Sequence, residues 1–342
     1  MSYETLVIVW FLILGALLVG YAILDGFDLG VGILHPFVAR TDEERRIFLN
    51  SIGPLWDGNE VWLVTFGGGL FAAFPQAYAT VFSGFYTALM LVLLALISRA
   101  VSMEFRSKRE SPAWRAFWDW SFFAGSSVAS LVFGVAVGNA MFGLPLNAEG
   151  DYAGGFLALL NPYGLLVGVF AVSMFALHGV LFLYLKTEGE LQARVRDWMW
   201  PAYGLFLALY LLTTVSTLAL VPHATGNFAH HPWAIVVVCL DVLVIANIPR
   251  CIHRARPGEA FLSSAAAIAG MLTLFGVALF PNLVTASNDP ELSVTIFNAG
   301  SSAKTLGIMV VIAAVGMPLV LTYTFIIYRA FRGKVRLGHH SY

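Results

Sequence analysis

The sequence predicts an all-α polytopic membrane protein, and its composition and its pattern of apolar stretches both support that fold class. Apolar residues make up 59% of the chain and charged residues only 11%, whereas soluble domains carry about 25% charged residues. Apolar stretches of about 18 or more residues recur, and each is long enough to cross a bilayer as a helix. The connections between them are short, so no separate soluble domain is predicted.

We predict about nine spans from these stretches. The second span is the least regular, because Pro54, Gly58 and the triplet Gly67-Gly68-Gly69 can kink or shorten a helix. The spans cover roughly residues 5–34, 47–74, 78–103, 115–138, 162–185, 199–221, 233–250, 260–282 and 304–329.

Basic residues lie almost entirely on one side of the predicted spans. The connections at 75–77, 139–161, 222–232 and 283–303 contain no lysine or arginine, and Lys304 is the only basic residue at that face. The basic side consists of the connections at 35–46, 104–114, 186–198 and 250–259 and the tail from Arg329. Because cytoplasmic connections carry the excess of lysine and arginine, we expect the N-terminus outside and the C-terminus in the cytoplasm.

The composition also limits what the chain binds. A net charge of −1, without a basic cluster among aromatic residues, argues against nucleic acid as a partner. Cys239 and Cys251 do not have the spacing of a metal-ligand or redox motif. We therefore predict no metal site formed by residues of this chain.

Two acidic pairs interrupt the apolar pattern. Asp25 and Asp28 form one pair, and Asp57 and Glu60 form the other. Residues three apart share a helix face, and ionisable groups at membrane depth indicate a proton relay, an ion path or a buried partner. Both pairs are equally distant along the chain from Asp42, which lies in a charged stretch between the first two spans.

If that charged stretch is the tip of a helical hairpin, the two pairs lie at the same depth, roughly 20 Å from the tip. Four carboxylates facing one another in the cytoplasmic half of the membrane could then pass protons. The alternative is structural: Asp57 and Gly58 form a turn, and Asp25 or Asp28 bonds to Asn59 or to the backbone. Both interpretations stay open at this stage.

Several strings of residues resemble subunit II of the cytochrome bd family of quinol oxidases. The similarity runs in order over the first half of the chain and continues more loosely through Phe280-Pro281 to the end. The strings include Asp25-Gly26-Phe27-Asp28-Leu29-Gly30, Trp56-Asp57-Gly58-Asn59-Glu60-Val61-Trp62, Phe82-Ser83-Gly84-Phe85-Tyr86, Trp118-Asp119-Trp120 and Leu160-Asn161-Pro162-Tyr163-Gly164.

The resemblance implies a subunit of a bacterial inner-membrane oxidase that oxidises quinol and reduces dioxygen to water. It implies two four-helix bundles, about residues 5–138 and 162–282, plus one peripheral helix, about 304–329. Two b-type haems and haem d are expected mainly in subunit I, the heterodimer partner, with or without a small third subunit. Some family members also hold a structural quinone in subunit II, but no motif here locates one.

The resemblance also suggests roles for particular residues. The family's cytoplasmic proton route carries over onto Asp25, Asp28 and Asp57, and onto Glu60, where some relatives have glutamine. His178 is the only histidine deep within a span, whereas haem ligation in a membrane calls for two facing ligands. We therefore predict that His178 makes a helix-packing hydrogen bond.

Three further polar residues receive structural interpretations. We expect Asp241 to pair with a neighbouring polar group and Asp119 to lie at the interface or in a salt bridge. Arg99 is expected to extend to the cytoplasmic surface or to pair with Glu104.

A different class of protein, a proton- or ion-coupled secondary transporter, also fits intramembrane carboxylates on glycine-rich helices. The sequence shows no convincing second copy of the acidic hairpin, which an inverted repeat would supply. A third interpretation, a subunit with a purely structural role, differs from the oxidase interpretation only in whether the acids transfer protons. The oxidase subunit is the leading hypothesis.

Overall fold

The computed structural model describes residues 1–230 and 232–338, and most of them are helical. A short antiparallel pair of strands, β1 (Asn282–Val284) and β2 (Val294–Thr295), lies in one connection. The helices are α1 (Tyr3–Val38), α2 (Asp42–Ile52), α3 (Trp56–Ala73), α4 (Pro75–Gly84), α5 (Tyr86–Phe105), α6 (Pro112–Phe142), α7 (Pro162–Lys186), α8 (Gly189–Leu220), α9 (Gly226–His230), α10 (Ala234–His253), α11 (Pro257–Leu279) and α12 (Ala303–Ala330).

Eight helices in the described part of the chain are long and apolar enough to span a membrane: α1, α5, α6, α7, α8, α10, α11 and α12. The predicted second span, 47–74, is not one helix. It divides into α2 and α3 around Pro54, whose ring clashes with the preceding turn and which lacks an N–H group. The predicted third span, 78–103, is likewise divided between α4 and α5 at Phe85.

The helix α3 nevertheless runs antiparallel along the length of α1. Asn59 contacts α1 near Leu24, and Trp62 lies against Gly20. Further along, Gly69 faces Leu14 of α1. The acidic stretch of α3 therefore lies at the depth of the acidic stretch of α1, as the hairpin hypothesis predicts.

The two ends of the described chain lie at opposite ends of the molecule. The Tyr3 hydroxyl donates to the carbonyl of Gly300, 3.3 Å away, in the connection before α12. After α12, the N–H of Val335 donates to the carbonyl of Lys186, at the end of α7. Opposite ends require an odd number of crossings, so α3 is the ninth crossing helix in residues 1–230 and 232–338.

The helix α1 is the centre of the assembly and packs against α3, α6, α7 and α11. Its closest neighbour is α7, because a Cβ atom built on Gly30 would lie 1.9 Å from the carbonyl oxygen of Phe175. Glycine at this crossing lets the two backbones touch, as small residues do at membrane helix interfaces. By contrast, α12 is peripheral, and Leu306 is its only buried residue.

Candidate functional site

The two acids of α1 are fully buried at membrane depth. Asp25 and Asp28 are both 0% exposed. The helix α1 has 36 residues, about 54 Å at 1.5 Å per residue, against a hydrocarbon core of about 30 Å. If α1 is centred in the bilayer, Asp25 and Asp28 lie about 7 and 11 Å from the midplane. Both acids therefore fall within the hydrocarbon thickness and need polar partners from the protein.

The partner of Asp25 is Arg99, which comes from α5. Its Nη2 atom donates to Oδ1 of Asp25 over 2.8 Å and also bonds to Oε1 of Glu60. Arg99 is 0% exposed, so the prediction that it extends to the surface or pairs with Glu104 is wrong. The physical reason is charge compensation. Two acids at membrane depth require a cationic partner, and that requirement holds Arg99 inside the protein.

Asp28 has a neutral partner instead. Nδ2 of Asn59 donates to Oδ2 of Asp28 over 2.7 Å and to the carbonyl of Leu24 over 3.1 Å. The hydroxyl of Tyr328, on α12, donates to Oδ1 of Asn59 over 2.9 Å. The structural alternative from the sequence includes the bond between Asp28 and Asn59. The sequence does not predict the contact of Tyr328 with Asn59.

Asp57 does not join this cluster, so the prediction of four carboxylates facing one another is wrong. On α3 it is Asn59 and Trp62, three residues apart, that face α1 and are buried. Asp57 therefore lies on the exposed side of α3, and Glu60 lies at the edge with its side chain 24% exposed. The buried cluster consists of two acids of α1, one of α3 and the guanidinium of Arg99.

Several atoms of the cluster have no hydrogen-bond partner among the residues that the structure describes. They are Oδ2 of Asp25, Oδ1 of Asp28, the hydroxyl of Tyr21, and Nε and Nη1 of Arg99. Buried polar atoms in proteins are usually bonded. The Tyr21 hydroxyl lies beside Asp25, and Oδ1 of Asp28 is the acid oxygen that has no donor near it in the described part of the chain.

A second charge cluster lies where α1 ends, around Asp119 of α6. Asp119 accepts from His35 Nε2 at 2.6 Å, from Arg45 Nη1 at 2.7 Å and from Arg106 Nε at 2.6 Å. Arg106 also donates to Asp42, at the start of α2. The prediction of a salt bridge for Asp119 is confirmed, and the cluster connects α1, α2, α6 and the turn that follows α5.

The start of α2 is fixed by Glu44, which lies outside the membrane-spanning helices. Its carboxylate accepts from the N–H groups of Arg40 and Thr41 and from Arg194 Nη1 at 2.8 Å. Partial burial acts to raise the pKa of Glu44, but the bonds from Arg194 and the two N–H groups outweigh it and hold the pKa below its usual value.

His178 and Asp241 are two further buried polar residues of the helices. Nδ1 of His178 bonds with the Ser264 hydroxyl at 2.7 Å, and Nε2 bonds with the Ile23 carbonyl at 3.1 Å. The predicted packing bond of His178 is confirmed. Asp241 is 2% exposed and faces Tyr210 of α8, yet neither of its oxygens forms a hydrogen bond within the described residues. Tyr210 is therefore the neighbouring polar group that the sequence predicts for Asp241.

The comparisons with known proteins agree with this geometry. A family model described as Cytochrome bd terminal oxidase subunit II matches residues 6–331. The chain therefore belongs to the family of subunit II of cytochrome bd terminal oxidases, so it is a subunit of a terminal oxidase complex with haem cofactors. The resemblance predicted from the sequence is confirmed, and none of the matches supports a secondary transporter.

Individual relatives match over nearly their whole lengths. The chain is 39% identical to the cytochrome bd-I ubiquinol oxidase subunit 2 of Escherichia coli strain K12, covering 98% of this chain and 96% of the relative. It is 33% identical to the cytochrome bd ubiquinol oxidase subunit 2 of Bacillus subtilis, covering 95% and 96%. The structure of bd oxidase from Geobacillus thermodenitrificans contains a chain with the same fold, at a TM-score of 0.78 and 18% identity, covering 96% of this chain and 98% of that one.

Proposed function

We propose that this chain is subunit II of a bacterial inner-membrane oxidase that takes electrons from quinol and reduces dioxygen to water. The family match and the names of the relatives support this proposal. The partner is a larger subunit I, which holds two b-type haems and haem d. A small third subunit and a structural quinone remain compatible with it. The chain is proposed to form two helix bundles, about residues 5–138 and 162–282, and a peripheral helix, about residues 304–329.

Assigning the haems to the partner agrees with the donor groups of this chain. Both ring nitrogens of His178 are already bonded, to Ser264 and to the Ile23 carbonyl. His35, which is also fully buried, is bonded to Asp119. Neither side chain, as placed, fits an axial ligand position. Bound haem supplies the redox chemistry, and the residues of this chain act on protons.

The proton route is supported by the placement of four acids at one membrane depth, of which some are buried and some are exposed. Asp25 and Asp28 are sealed from solvent, Glu60 lies at the edge, and Asp57 lies on the exposed face of α3. An ionisable group facing lipid is costly, so we infer that the partner subunit covers Asp57. Protons taken up by Asp57 and Glu60 from the cytoplasmic side would then reach the buried acids and the partner's oxygen-reducing site.

The cytoplasmic side is assigned by charge. The three connections at 143–161, 222–225 and 282–302 carry no lysine or arginine. Two of them lie at the same end of the molecule as Tyr3, because Leu144 N donates to Thr285 O and Tyr3 contacts Gly300. We propose that this end, with the N-terminus, faces outward and that the opposite end, with the C-terminus, faces the cytoplasm.

Replacement of Asp57 in the complete oxidase tests the proposed function. Asp57→Asn keeps the volume but removes a transferable proton, so quinol-driven oxygen consumption should fall several-fold with haem content and complex yield near normal. Asp57→Glu can still carry a proton and should retain more activity. Normal turnover of the fully loaded Asn variant between about pH 6 and 8 would exclude Asp57 as an essential carrier, and failure to assemble would favour a structural role.

A further inference from the structure

The peripheral helix α12 makes one polar contact that its position does not explain. Most residues of α12 are exposed, and Leu306 is its only buried residue. Near its other end, the ring of Tyr328 packs edge-on against Phe27 of α1, with 6.3 Å between ring centroids. That packing directs the hydroxyl inward to Oδ1 of Asn59, 2.9 Å away. A helix on the outside of the molecule thus reaches the acid cluster.

The neighbours of Asn59 fix which way its amide points. The carbonyl of Leu24 can only accept a hydrogen bond, so the amide atom 3.1 Å from it is Nδ2. The same Nδ2 atom donates to Asp28 over 2.7 Å. Oδ1 of Asn59 therefore faces Tyr328, whose hydroxyl is the donor to this buried acceptor. Removing that donor would leave a buried oxygen unsatisfied and the amide less firmly held.

We propose that Tyr328 is a positioning residue for the proton route, acting through Asn59 on Asp28. The hydroxyl holds the amide so that its N–H stays on Oδ2 of Asp28, which leaves Oδ1 of that acid available for the proton. The other charged groups near Asp28 are Asp25, Glu60 and Arg99. The peripheral helix thereby takes part in proton transfer. This inference rests on the proposed function of the acid cluster.

The test compares two tyrosines of α12 in the complete oxidase. Tyr328→Phe removes the hydroxyl while keeping the ring against Phe27. Tyr323→Phe is the matched control, because Tyr323 is 59% exposed and its hydroxyl forms no hydrogen bond in the described part of the chain. We expect Tyr328→Phe to lower kcat several-fold, leave the KM for quinol unchanged and move the midpoint of the pH–activity profile. Tyr323→Phe should leave all three quantities unchanged.

A double variant shows whether the hydroxyl acts through Asn59. Tyr328→Phe should add no further loss to Asn59→Leu, and full additivity of the two losses would overturn the inference. So would equal behaviour of Tyr328→Phe and Tyr323→Phe, or loss of haem on Tyr328→Phe, which would make the hydroxyl a packing contact.

Asp28→Asn separates the two proposals. If that variant turns over normally, the proton route itself fails. If it slows turnover while Tyr328→Phe does not, only the inference about Tyr328 fails.

Discussion

Two buried aspartates of this chain occupy opposite kinds of site. Asp119, where α1 ends, accepts from three cationic or histidine side chains within 2.7 Å. Asp28, at membrane depth, accepts from one neutral amide, and its Oδ1 atom has no partner within the described residues. A carboxylate held by several donors is fixed as an anion and organises structure, whereas one with a free oxygen can exchange a proton.

The largest effect should follow from removing Asp119. Asp119→Leu would leave Arg106 buried without its carboxylate, and arginine cannot lose its charge to escape that cost. Breaking a buried pair costs about 3–5 kcal/mol, so we expect low yield of the complex and a large drop in its thermal unfolding temperature. Asp197→Asn, at an exposed acid of α8, is the control and should behave as wild type.

If Asp119→Leu assembled and unfolded like wild type, the charge cluster around Asp119 would not have a structural role. Activity measured per haem adds a second check. Variants that do assemble should turn over at close to the normal rate, because Asp119 is not placed on the proton route.

Replacing Arg99 should have a smaller effect on stability, since the acids that it leaves behind can become neutral by binding a proton. Both ion pairs of Arg99 converge on the single atom Nη2. A lysine could therefore satisfy Asp25 and Glu60 from one nitrogen, whereas a methionine could not. We expect Arg99→Lys to retain more assembled oxidase and more turnover than Arg99→Met, measured as haem content and oxygen consumption. Equal loss in both variants would contradict a role of the charge.

These contacts also show how far the sequence could be interpreted. Most of the spans, the equal depth of the acidic stretches and the salt bridge of Asp119 could be predicted, because hydropathy and residue spacing are local signals. Which face of α3 meets α1 depends on packing, and there Asn59 and Trp62 rather than Asp57 occupy the contact. Pro54 was a usable signal for the break before α3.

Arg99 and Tyr328 could not be placed because their partners are distant in sequence. Arg99 lies 74 residues from Asp25 along the chain, and Tyr328 lies 269 residues from Asn59. Local hydropathy placed Arg99 near a span end, which favoured an interfacial position. Two intramembrane acids need a cation, and that need is the signal that could have pointed to Arg99.

The smallest effect concerns Glu44 and depends on pH. Because its pKa is lowered on folding, the stability it contributes is present above the unfolded value, about 4.3, and is lost as the pH falls through the folded pKa. Glu44→Gln should lower stability by at most about 1 kcal/mol at neutral pH. The difference should shrink towards zero in acid. Glu43→Gln, at an exposed neighbour, is the control, and a difference independent of pH would contradict the assignment.

The central claim is that the acids at membrane depth carry protons, and proton uptake tests it most directly. Fully reduced wild-type and Asp28→Asn oxidases with equal haem content can be mixed rapidly with oxygen in the presence of a pH-indicator dye. We expect proton uptake to slow several-fold in the Asn variant, while its electron supply from quinol is unchanged. Proton uptake at the wild-type rate in the fully loaded variant would contradict the claim.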